Sequence, residues 1–100
     1  MTRISGMIKW MGDIKRQEKI LKALANKRRL KILEYVRKNK EATVGELAEY
    51  LKISFPATSK HLGLLFSADI LDREQKSLLV YYRLSDPAAN DIRKTMEALY

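Results

Sequence analysis

Within TVGELAEYLKISFPATSKHLGLL, from Thr43 to Leu65, the residues able to make specific polar contacts gather on one side of a short helix-forming stretch. Ser54 is placed to cap that stretch, and Pro56 falls in its first turn, where a missing N–H costs nothing. At the helical period, Pro56, Ser59, Lys60 and Gly63 share one side, and Thr58, His61, Leu62 and Leu65 the other. The first group is small and hydrogen-bonding, with a single cation. A solubilising face normally carries several charges, so this one suits close approach to base edges and phosphates. The same residues do not assemble a catalyst. His61 is the only histidine of the chain, and on the inner side of a helix its expected role is a hydrogen-bonded structural one. Ser59 stands two positions from it, so the two side chains diverge. With no cysteine and no glycine-rich phosphate loop, no enzyme is expected.

The elements that must position Ser59 and Lys60 are legible around them. Thr43 and Glu46 have the spacing of a capping box, and Val44, Leu47, Ala48 and Leu51 then recur as one apolar face. Only Lys52 and Ile53 separate this helix from Ser54, so two short helices meet at a tight turn. Upstream, Asp13 is a candidate cap for a helix to about Ala25 with Ile14, Leu21, Leu24 and Ala25 inward. A further helix, from about Lys27 to Lys38, should bury Leu30, Leu33 and Val36, with Ile32 and Tyr35 flanking. Downstream, Ile70 to Glu74 and Leu78 to Leu84 read as two strands of a hairpin turning at Gln75, Lys76 and Ser77. Arg73, Lys76 and Arg83 on this ribbon are candidates for phosphates or a neighbouring minor groove. Of Tyr81 and Tyr82, alternation turns one inward and one outward. Ser85, Asp86 and Pro87 open a last helix, to about Tyr100, whose Ala89, Ile92, Met96 and Leu99 form a narrow seam. Such a seam packs along another helix, and with Ile14 and Leu21 it is expected to form a homodimer surface.

One hundred residues with a net charge of +8 make one small domain, residues 1–100, with a polyanionic partner. The charge is uneven: thirteen Lys and Arg against three acids in residues 1–40, then seven against nine in residues 41–100. Lys15, Arg16, Lys19, Lys22, Lys27, Arg28, Arg29 and Lys31 are therefore expected along a nucleic-acid backbone, supplying affinity without sequence preference. The apolar residues of 1–12 are interrupted by Arg3, Gly6 and Lys9 before reaching signal or membrane-span length, so they are expected to dock on the domain or its copy, or to fray. The absence of cysteine excludes disulfides and thiolate metal sites and accords with a reducing, cytoplasmic setting.

Taken together, LKALANKRRLKILEYV, GELAEYLKISFPATSKHLGLL and VYYRL resemble the ArsR/SmtB family of winged helix-turn-helix repressors over about residues 20 to 85. Ser54, Pro56, Ala57, Ser59, Lys60, His61, Leu62 and Leu65 are similar to its recognition helix, and Tyr81, Tyr82 and Arg83 to the end of its wing. The resemblance implies a mostly α fold with a small β-hairpin and terminal dimerisation helices. It also implies a symmetric dimer on pseudo-palindromic double-stranded DNA, blocking transcription until an inducer releases it. The family's thiolate site would fall near ELAEY, which has no cysteine, and the last helix has Asp91 and Glu97 but no histidine; no metal site and no cofactor are expected. Lys52 and Asp69 stand where the family commonly has glycine, and Phe55 where a polar residue is frequent. These departures bear on turn geometry and operator sequence rather than on the fold. The expected DNA-contacting set is Ser54, Phe55, Pro56, Ala57, Ser59, Lys60 and Gly63, with Arg73, Lys76 and Arg83. A low-specificity coating protein and a protein-binding winged helix, anchored by Phe55 and Phe66, are the alternatives.

Overall fold

Local signals set the order of elements in the computed structural model, which describes residues 14–86. Helix α1 spans Ile14–Leu24 and α2 Lys27–Asn39; a short strand β1, Ala42–Thr43, precedes α3, Val44–Leu51, and α4, Phe55–Ser67; strands β2, Leu71–Lys76, and β3, Leu79–Leu84, follow. The anticipated capping box forms: the Thr43 hydroxyl accepts from the Glu46 backbone N–H at 3.2 Å, and the Glu46 carboxylate accepts from the Thr43 N–H at 3.0 Å. Such a cap is worth about 1 kcal/mol. Ser54 caps α4 by accepting from the Ala57 N–H at 3.2 Å. Asn26 caps α2, its side-chain Oδ1 accepting from the backbone N–H groups of Arg28 and Arg29.

The α3–α4 turn shows how the missing glycine is accommodated. Lys52 adopts φ 58° and ψ 44°, and the Ile53 N–H reaches the Ala48 carbonyl at 3.2 Å while the Lys52 N–H reaches that of Glu49 at 3.3 Å. This is a Schellman motif with a side chain at the position that favours glycine. After α4 the pattern repeats: Asp69 has φ 59°, with Ile70 bonded to Leu65 and Asp69 to Phe66. Aspartate tolerates the left-handed region better than lysine, so Lys52 is the costlier of the two. Lys52→Gly is expected to stabilise the protein by about 1 kcal/mol in urea denaturation; a loss of stability would show that the lysine side chain contributes more than its backbone strain costs.

Helix α2 packs against both α1 and the α3–α4 pair and also touches the sheet, and Ile32, Leu33 and Val36 are buried in the core with Leu47, Leu62, Leu65, Ile70 and Leu71. Ile32, expected to flank, is thus fully enclosed while Leu30 is half-buried, because a helix covered on several sides buries more than one stripe. The inner side of α1 also differs from expectation. Ile20 and Ala23 are buried and Leu24 packs against the core, whereas Ile14 is 76% and Leu21 54% exposed and Ala25 is exposed. Two apolar stripes compete on this helix, and the core took the one containing Ile20.

The sheet is antiparallel with order β1-β3-β2. Strand β1 is too short to show alternation in sequence and was not anticipated; Ala42 pairs with Tyr82 and Thr43 with Tyr81. The hairpin is closed by Ser77 and Leu78 between the Lys76–Leu79 pair, later than expected. Ser77 takes φ 61°, the positive angle a two-residue hairpin turn needs at its first position. Tyr82 is buried in the core, while Tyr81 is half-buried with Lys76 Nζ 5.0 Å from its ring centroid. The fold is therefore mostly helical with a small antiparallel sheet, as expected. Asp13, the segment 1–12, and the seam of Ala89, Ile92, Met96 and Leu99 lie outside the described residues.

Candidate nucleic-acid interface

Helix α4 is anchored from beneath. Thr58, Leu62 and Leu65 are fully buried, and the Thr58 hydroxyl donates to the Ser54 carbonyl at 2.9 Å, so this inward polar group is satisfied. The opposite side presents Ser54, Phe55, Pro56, Ser59 and Lys60 to solvent, with Ala57 and Gly63 half-buried beside them. Seven of the residues expected to meet DNA thus lie on the outward side of α4, from its cap Ser54 to Gly63. Phe55 is 58% exposed, an aromatic ring at the leading turn of the helix. A Cβ added at Gly63 would meet nothing within 4 Å. Internal packing does not demand glycine there, whereas close approach of an external backbone would favour it.

The hairpin cations sit differently. Lys76 Nζ lies 3.2 Å from the Glu41 carboxylate and 3.7 Å from that of Glu74, and the Arg83 guanidinium lies 3.8 Å from Glu74. Arg73 stacks its guanidinium 4.0 Å above the Phe66 ring, fastening β2 to the end of α4. Sequence reading found these cations but not the carboxylates that neutralise them, since Glu41 is distant along the chain and meets Lys76 only once β1 joins the sheet. Exposed pairs of this kind are worth at most about 1 kcal/mol, so a phosphate can replace either acid.

Arg29 is the clearest reassignment among the basic residues. Its Nε donates to the Ala23 carbonyl at 2.6 Å, Nη2 to the Lys22 carbonyl at 3.2 Å, and Nη1 meets His61 Nδ1 at 3.2 Å. The half-buried guanidinium is committed to partners within the protein, while Lys27, Arg28 and Lys31 on the same helix remain exposed. His61 is half-buried in a hydrogen-bonded role, and its pKa is held below the ordinary histidine value by partial burial first, then by the positive charges of Arg29, Arg28 and Lys60. Among the described residues no group of three or more His, Cys, Asp or Glu could hold a metal ion, and no helix is long and apolar enough to cross a membrane.

This arrangement of helices and hairpin recurs in known proteins. A family profile described as "Bacterial regulatory protein, arsR family" matches residues 26–73, the span from the Asn26 cap to Arg73. Transcriptional repressor SdpR of Bacillus subtilis is 33% identical over 72 residues, 72% of this chain and 79% of that protein. Transcriptional activator HlyU of Vibrio cholerae is 36% identical over 81 residues, 81% of this chain and 74% of that protein. A solved structure of the latter superposes with a TM-score of 0.74 at 34% identity, covering 86% of this chain and 92% of that one. The solution structure of Mb0332 from Mycobacterium bovis, titled a homodimeric winged helix-turn-helix DNA-binding domain, gives a TM-score of 0.74 at 26% identity, over 86% of this chain and 76% of that one. Its hairpin is a wing and its α3–α4 pair a helix-turn-helix, the framework of regulators rather than enzymes, and the chain belongs to the arsR family of bacterial regulatory proteins.

Proposed function

We propose that this chain is a homodimeric, sequence-specific transcriptional repressor, with α4 inserted in the major groove of double-stranded DNA. Ser54, Phe55, Pro56, Ala57, Ser59, Lys60 and Gly63 face the duplex. Arg73, Lys76 and Arg83 serve the flanking phosphates after exchanging their internal partners. The carrying observation is the two-sidedness of α4: fully buried Thr58, Leu62 and Leu65 beneath, and an uncovered, lightly charged surface above. A helix held this way presents side chains at fixed positions, which base readout requires. Dimerisation runs through Ile14 and Leu21 on α1, together with Ala89, Ile92, Met96 and Leu99. In support, Ile14 and Leu21 are exposed among the described residues of one subunit, and the Mycobacterium bovis structure is titled homodimeric. Repression follows from occupancy of the operator alone. The work is cytoplasmic, needs no metal or cofactor, and is carried out by residues 1–100 as one domain.

Selection of bound sequences from a random duplex pool, followed by titration at several salt concentrations, tests this reading. A repressor prefers its site over random duplex by roughly a thousandfold or more. Equal affinities with a steep salt slope would identify a coating protein, and negligible affinity at low salt a protein-binding module. Within the same titration, Lys60→Ala is expected to cost about 1 to 3 kcal/mol at the selected site. Unchanged affinity would remove Lys60 from the contacting set.

A further inference from the structure

Arg29 joins three elements through one planar group. Two of its nitrogens hold the last turn of α1 by the Lys22 and Ala23 carbonyls, and a third holds α4 by His61. Its own backbone N–H is fixed by the Asn26 cap at 3.1 Å, so the guanidinium is presented from a well-seated helix start. Arginine keeps its proton in proteins, so His61 Nδ1 must be the acceptor, and the proton of the neutral ring sits on Nε2. His61 directly follows Lys60, and Lys22 directly follows Leu21. The clamp thus connects the residue next to the apolar patch of α1 with the residue next to the outward face of α4.

We propose that Arg29 is a positioning residue, coupling the α1 surface to the DNA-facing side of α4 through His61. This rests on the function proposed above. The coupling has a built-in condition: a protonated imidazole has no lone pair for Nη1 and places a second cation 3.2 Å from the first. Among the described residues the charged groups that lower the His61 pKa are Arg29 and Arg28 from α2 and Lys60 from its own helix, all positive, while α1 meets the Arg29 guanidinium through backbone carbonyls. Nothing among these rewards protonation. Folding favours the neutral ring, so the clamp is complete above the ordinary histidine pKa and fails as pH falls through the lower value of the folded protein. DNA affinity therefore weakens in acid, by up to about tenfold per pH unit below that value. A histidine pointing at phosphates would behave in the opposite way, gaining affinity on protonation.

The test uses the full chain, a duplex recovered from the random pool, and titrations from pH 8 to pH 5. The parent should lose affinity toward pH 5. His61→Gln, whose side-chain oxygen still accepts from Arg29 but does not titrate, should bind like the parent at pH 8 and show a flattened profile. Because the chain has one histidine, its imidazole resonance is unambiguous in NMR. Arg29→Lys, which cannot reproduce the fork, should raise the imidazole titration midpoint and lower DNA affinity at pH 8 while leaving a folded dimer. His61→Gln with the parent's acid loss, or Arg29→Lys with the parent's imidazole midpoint, would overturn the proposal. A parent that binds no duplex at any pH overturns the proposed function instead, and the imidazole titration still scores the clamp without DNA.

Discussion

Leu21→Glu is expected to turn a dimer into a monomer in sedimentation and to lower affinity for the selected duplex by roughly a hundredfold to ten-thousandfold. The size follows from bivalency. In the proposed dimer two α4 helices would share one duplex, the second half-site being met at high effective concentration, and a monomer would forfeit that gain without losing any contact of its own. Leu21 is suited to the experiment because it is 54% exposed, on an open, mainly apolar surface with Ile14 and Ala25, edged by Glu18 and Lys22. A glutamate there enters no core, so the folding stability of the isolated subunit should move by less than about 0.5 kcal/mol. Burying an unpaired carboxylate between two subunits costs far more. A dimer that survives the change would relocate the interface away from α1.

Leu62→Ala should destabilise the protein by about 2 to 5 kcal/mol, a large share of the roughly 5 to 15 kcal/mol typical of a domain. Leu62 is fully buried in the core that Ile32, Leu33 and Leu47 also form, and truncation removes both its burial and its packing contacts. Thermal melting should show a fall on the order of 10 °C or more. Leu64, two positions on, is an exposed large apolar residue of the same helix, and Leu64→Ala should change stability little. Similar costs for the two substitutions would contradict the orientation of α4, and with it the identity of the face offered to DNA.

These two experiments separate what is local from what is not. The position and roll of α4 were legible because each signal lies within a turn or two of the residues it controls. Ser54 caps, Pro56 pre-sets the backbone, and the spacing of Thr58, Leu62 and Leu65 selects the buried side. The Thr43–Glu46 box worked for the same reason. On α1 the same periodicity argument placed Leu24 against the core but missed Ile20 and Ala23 and turned Ile14, Leu21 and Ala25 inward, because two overlapping stripes compete and the choice depends on what α2 offers them.

By itself, then, the sequence determined the order of the helices and the hairpin, the starts of α3 and α4, and the exposed face of α4. Each depends on interactions between residues a few positions apart, whose free energies are set before the chain closes on itself. Tertiary structure alone decided the rest: that β1 forms, since two residues make a strand only against Tyr81 and Tyr82; that Lys76 and Arg83 meet carboxylates; and that Lys52 takes a glycine-like angle. It also decided that Arg29, one of thirteen basic residues in the first forty, turns inward to His61. A guanidinium looks the same in sequence whether it meets water, a phosphate or an imidazole, and only the packing of α1 and α4 around it selects among them.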